Sequence, residues 1–355
     1  SGTYTITVNS DVTIAGLTFG GESDLQTLSI TGGTFSLNGP GSIEGTGVLD
    51  LKGGTFSGSG TLTISSRMNW TGGTIAGGGT VAIPSGGLLA ISGGDTKYLS
   101  WRTINNSGTV AWSDNGNIRG QDGAVFNNAA GALFDIRCDN SFYRWNNTNP
   151  IINNAGVVQK NATTGTTTFE YVTFNNTGGV TVNSGMIQFT GDSRVTNSAS
   201  FTAIPGGTIR FAGGSHAMEE GARFLGEGYH ELTDGTFSVN ASVSAQRFRM
   251  SGGTLTGAGT FTSTGTLEWT GGTMAGEGKT VIPSGSTLSF SSGGTKYISQ
   301  RSIDNSGTAT WSAGNIRGEN GAVFNNLAGG VFDIRSDAYF YRQNNVNPIF
   351  NNAGT

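Results

Sequence analysis

The chain is poor in the features that define most functional classes. Its 355 residues hold one cysteine, Cys138, so no intrachain disulfide framework is possible. Proline is scarce, with 6 residues, and glycine has no strict every-third spacing, which excludes a collagen-like helix. Charged residues make up 12% of the chain, roughly half the usual globular share. The formal charge is −4, from 19 basic and 23 acidic residues, with no clustered Lys and Arg. Nucleic acid and anionic membrane surfaces are therefore not expected partners. No apolar run approaches the ~18 residues of a spanning helix, so membrane insertion is not expected either. The chain opens SGTYTITVNS, without an initiator Met or a charged-then-apolar leader, and stops at FNNAGT inside a repeat. Both ends read as cuts within a longer repetitive chain.

What is abundant is glycine, 61 residues, and asparagine, 31 residues. Both weaken helix interiors and suit turns. Residues 53–156 reappear at 252–354: WTGGT at Trp70 and Trp269, IPSG at Ile83 and Ile282, GAVFNN at Gly123 and Gly321, FDIR at Phe134 and Phe332, FYR at Phe142 and Phe340. A shorter period lies inside this long repeat. An apolar residue followed by Asn-Asn occurs at Ile104, Phe126, Ile152 and Phe174, and Gly-Gly-Thr begins at Gly32, Gly53 and Gly72. A recurrence near 20–22 residues, with apolar–polar alternation at Thr61–Leu62–Thr63–Ile64 and Val180–Thr181–Val182, predicts one coil of a β-solenoid. The fold expected is all-β, a parallel β-helix running through 1–355 as one continuous segment of about 17 coils.

Stacked coils would align equivalent side chains. Asn106, Asn128, Asn154 and Asn176 are expected in one column, and Asn305, Asn326 and Asn352 in its counterpart in the second copy. Two readings stay open: an amide ladder, donor to acceptor, or left-handed turns facing water.

Several stretches, FNNTGGVTVNSGMIQFTG, FTAIPGGTIRFAGGSH and GTFSVNASVSAQRFRMSGGTLTGAGTF, resemble the repeats of large bacterial secreted β-solenoid proteins. Filamentous-haemagglutinin-like exoproteins and autotransporter-type passengers belong to that group. The resemblance covers essentially the whole chain, as a repeat style and not an active-site signature. It implies a right-handed parallel β-helix, export to the cell surface or medium, and a role as filament, adhesin or matrix component.

Chemistry is sparse. His216 and His230 lie fourteen residues apart among Glu219, Glu220, Glu227 and Glu231, without a recognised metal-ligand spacing; a solvated face is the expected setting. Cys138 aligns with Ser336, which suits packing better than nucleophilic catalysis. Asp135 and Asp333 each precede an Arg by two positions, and on a strand i and i+2 share a face, so each carboxylate is expected to pair with Arg137 or Arg335. No cofactor or metal is expected. Of the tryptophans, Trp70 and Trp269 are expected in the core. Tyr143, Arg144, Tyr341 and Arg342 are expected on a partly exposed, partner-contacting face.

The function expected is structural: a rigid extracellular element with an adhesive or cell–cell contact role, self-associating end to end or laterally and contacting a glycan or cell surface without turnover. The rival readings are a polysaccharide-binding or polysaccharide-degrading β-helix, and an ice-binding solenoid carrying Thr-x-Thr arrays.

Overall fold

The structure, a computed structural model, describes residues 2–196, 199–344 and 346–355. The chain divides into two compact units, one ending at Ile187 and the other beginning at Gln188. Every regular element described is a β-strand, and the strands pair in parallel into about 16 solenoid turns.

In the first unit three short strands make one coil. Arg67–Trp70, Thr74–Ala76 and Thr80–Ile83 form one such set, and Leu88–Ile91, Lys97–Ser100 and Thr103–Asn106 form the next. Each strand pairs with its equivalent one coil on: Arg67 faces Leu88, Thr74 faces Tyr98, and Thr80 faces Thr103. The sequence separation is 88 − 67 = 21 residues at the first face. It widens to 151 − 125 = 26 at the third, where a longer corner loop intervenes. Alternate residues point inward, so a single coil lines only a thin slice of core, and stacking completes it. One column reads Leu49, Met68, Leu89, Val110, Phe134 and Val158, all buried. Each such side chain contributes about 1.5–3 kcal/mol when taken fully out of water.

The Gly-Gly-Thr motif marks a corner. Gly33, Gly54 and Gly73 have φ of 63°, 63° and 74°, in the left-handed region. A Cβ on Gly54 would lie 2.6 Å from the Gly33 carbonyl, and one on Gly73 would lie 2.6 Å from that of Gly54. Only glycine satisfies both the dihedral and the close approach of the coil beneath.

The second unit uses longer strands, Gly207–Met218, Tyr229–Val239 and Thr260–Trp269, with a register shift where each turns between faces. Its core is rich in phenylalanine: Phe211, Phe224, Phe237 and Phe248 pack largely edge to face at centroid separations of 5.4–6.3 Å.

Candidate functional site

The third-face corner carries the two asparagine columns. Ile43, Ile64 and Ile83 stack in register, and Asn106 then takes the same inward position. From there Asn106 Nδ2 donates to Asn128 Oδ1 at 2.8 Å, Asn128 to Asn154 at 2.7 Å and Asn154 to Asn176 at 2.8 Å. Each of these three donors also reaches a backbone carbonyl of the strand that follows its acceptor, at Leu133, Val157 and Gly179. In the second unit Asn305 donates to Asn326 at 2.9 Å and Asn326 to Asn352 at 2.8 Å. The column is therefore a buried amide ladder over most of its length, with Asn352 exposed on the final coil. One position earlier runs an outer ladder with the opposite sense: Asn127 donates back to Asn105, Asn153 to Asn127 and Asn175 to Asn153. In the second unit the outer ladder begins at a carboxylate, with Asn325 donating to Asp304 at 2.7 Å and Asn351 to Asn325 at 2.8 Å.

The titratable groups are mostly structural. Asp135 and Arg137 pair at 2.6 Å, and Asp333 and Arg335 at 2.7 Å. Both histidines are buried, which corrects the expected solvated face. The stretch alternates, so His216 and His230 fall on inward positions while Glu219 and Glu227 fall outside. His216 Nδ1 sits 2.8 Å from Ser193 Oγ, and His230 Nε2 sits 3.0 Å from the Phe201 carbonyl. Burial pushes both imidazoles down to about 4, so they are neutral at physiological pH. Burial likewise pushes the Cys138 thiol up to about 11, leaving it a packing group. Among the described residues no three His, Cys, Asp or Glu side chains gather as a metal site.

Buried cations are the feature that the sequence did not announce. Arg102 and its repeat partner Arg301 are buried with carbonyls as acceptors. Arg102 Nη1 donates to Gly58 and Ala76, and Nη2 to Gly60 and Thr80, at 2.7–3.4 Å. Arg301 repeats the clamp on Gly257, Ala275, Gly259 and Lys279. Each guanidinium thus ties its own coil to the two before it, and burial pushes both down to about 10. Lys160 replaces an apolar residue in the column Trp112, Ile136, Lys160, Val182, and its Nζ is held by Cys138 O, Asp139, Thr163 and Thr167. WRT recurs as QRS and TKY recurs intact, so the letters carry Arg102 and the buried Lys97 in both copies; that these positions turn inward is not in the letters.

The corner that follows the second-face strands is the most accessible chemical feature of the first unit. Trp70, Trp112, Trp269 and Trp311 are buried, whereas Trp101 is 73% and Trp145 is 61% exposed. Trp101 follows the strand Lys97–Ser100 and Trp145 follows Ser141–Arg144, two coils further on. Trp101 holds φ at 58°, unusual for a bulky side chain, and Asp122 one coil on holds 55°. Asp122 accepts from Ser100 Oγ at 2.6 Å, Gln121 Nε2 at 3.1 Å and Asn146 Nδ2 at 2.6 Å. The Ser100 bond, the two amides and the nearby Arg119 charge hold its carboxyl below the usual carboxylate range. Arg119 lies 3.6 Å over the Trp145 ring and 5.1 Å from the Tyr98 centroid. Trp101, Asp122, Gly123 and Thr148 line an open groove.

Tyr143 and Arg144 are half-buried on the same face. Tyr143 stands between Arg119 and Glu170 in register, and Arg144 donates to Asn149 at 2.7 Å with its guanidinium over Tyr171. Tyr341 and Arg342 are exposed, with Arg342 donating to Asn347 at 2.9 Å. The threonine column Thr34, Thr55, Thr74 gives way to Tyr98 and Arg119, and the column Thr61, Thr80, Thr103 to Val125, so neither runs through the unit. No family model matches the chain, and no curated protein or solved structure does either.

Proposed function

We propose that the chain is a structural solenoid segment of an extracellular bacterial surface or matrix protein, a stiff element that carries adhesion or cell–cell contact. The observation that carries this reading is where the polar chemistry is spent. Buried amides, guanidinium clamps and a buried ammonium all join one coil to the next. The ionisable pairs Asp135–Arg137 and Asp333–Arg335 are each closed on themselves. The reading assigns the chain no catalytic step. The single thiol, buried and protonated, is compatible with either redox compartment, and the repeat resemblance supports export. The parallel pairing that joins coils also suits a second copy of the chain, so the reading includes end-to-end or lateral association.

Single-molecule stretching between terminal handles tests the structural role. Discrete releases of about 70 Å are expected, one per coil of 21 residues at full extension. A smooth extension without steps, or steady release of sugars from a polysaccharide by the purified chain, would overturn it. Association is read by sedimentation over a hundredfold concentration range, where growth of the particle with concentration is the expected result.

A further inference from the structure

We propose that the groove between Trp101, Asp122 and Thr148, extended along the corner to Trp145, is a binding subsite for a neutral saccharide chain. The proposal rests on the adhesive part of the functional reading and names the ligand class that its corner would take.

The groove's chemistry selects the ligand. A sugar ring has a face of C–H groups and an edge of hydroxyls, so it needs an open aromatic surface beside fixed planar hydrogen-bonding groups. Trp101 supplies the surface, with nearly three quarters of its area open. Asp122 supplies an acceptor whose orientation is set by three donors, from Ser100, Gln121 and Asn146. Most of its lone pairs are already taken, which leaves room for a hydroxyl. Arg119 offsets the carboxylate's charge, so the corner favours neither a cation nor an anion. That removes quaternary ammonium groups, which an isolated Trp–Asp pair would also fit. Arg119 covers only one face of Trp145. Two coils separate the two indoles, about 9.6 Å along the axis, a reach that spans neighbouring sugar rings in an extended chain.

The second copy provides the contrast. Its corner keeps the backbone, with φ of 64° at Gln300 and 54° at Asn320. It also keeps the polar network: Asn320 donates to Ser299 at 2.8 Å, and Asn344 donates to Asn320. Yet Gln300 stands for Trp101, Asn320 for Asp122, Gln343 for Trp145 and Val346 for Thr148. The buried tryptophans of the same repeat are kept. The left-handed corner takes glutamine in the second copy, so the fold does not require an indole at position 101. Exposure and an unfavourable dihedral for a bulky ring that the fold does not require point together to a surface held open for contact.

The test uses the full chain on an array of immobilised neutral oligosaccharides (cello-, chito-, xylo- and manno-hexaoses), followed by calorimetric titration with whichever hexaose is retained. Binding with one site per chain is expected. The double variant W101Q/W145Q, which installs the residues of the second copy, should lose at least tenfold in affinity while keeping the stepwise extension. The reverse graft Q300W/N320D/Q343W/V346T should raise the stoichiometry to two. Retention of none of the four hexaoses, unaltered binding by W101Q/W145Q, or binding of choline in their place would overturn the subsite. Each of those results leaves the stretching signature intact, so failure here is distinct from failure of the structural reading.

Discussion

A buried guanidinium with no acidic partner is normally expensive, because desolvation of the charge must be met by hydrogen bonds of suitable geometry. Arg102 meets most of it with four carbonyls on the two preceding coils, and the Phe56 ring lies 4.5 Å beneath. Lysine keeps the charge but cannot span acceptors so spread. R102K is therefore expected to lower stability by about 3 kcal/mol, read as a fall in the urea midpoint, whereas R223K at an exposed position should cost under ~1 kcal/mol. An R102K midpoint equal to the parent's would show that the clamp contributes nothing.

The histidines set a pH dependence of definite sign. Folded His216 and His230 titrate near 4 and the unfolded chain near 6.5, so the unfolded state binds more protons between those values. The stability from burying them neutral is complete above the unfolded value and is lost as pH falls through the window. The ceiling is about 3 kcal/mol for each. Melting temperature should drop between pH 7 and pH 4.5, and the drop should shrink in H216Q/H230Q. An identical acid profile in that variant would remove the histidines as its cause. Neither burial was legible from spacing alone, because the surrounding glutamates pull the reading outward. Only the pattern along Gly207–Met218 for His216 and along Tyr229–Val239 for His230, once the face is known, shows which positions turn inward.

At the level of the element, the corner column shows how one position can hold either packing or polarity. Ile83 and Asn106 share a register position, and from Asn106 onward the amide does what the isoleucine did while also closing backbone carbonyls. N128A removes the acceptor for Asn106 and the donor for Asn154 and Val157. A loss of about 3 kcal/mol is expected, with hydrogen-exchange protection falling in the coils on either side. N127A, in the half-buried outer ladder, should cost less, about 1 kcal/mol. Equal losses would mean that burial of the ladder is irrelevant. The Asn-Asn spacing made the columns visible in the sequence, since stacking turns a period into a line. The direction of donation was not visible, because it depends on side-chain torsions that no period encodes.

For the whole molecule, the long repeat acts as an internal comparison. Trp70 with Trp269 and Trp112 with Trp311 recur and are core, while Trp101 and Trp145 do not recur and lie open. That distinction was present in the letters: a core position constrains both copies alike, and a surface position is free to diverge. The fold class was equally plain, because a coil-length period and two-residue alternation leave few other arrangements. The coil count came out near 16 instead of 17, since several corners carry extra residues beyond the basic period.

The opposed sense of the two amide ladders has an electrical consequence. Inner amides point their N–H groups toward later coils and outer amides toward earlier ones, so the two strings of dipoles largely cancel along the axis. An α-helix accumulates a macrodipole as it lengthens; this corner does not, and further repeats can be appended without building up opposite poles at its extremities.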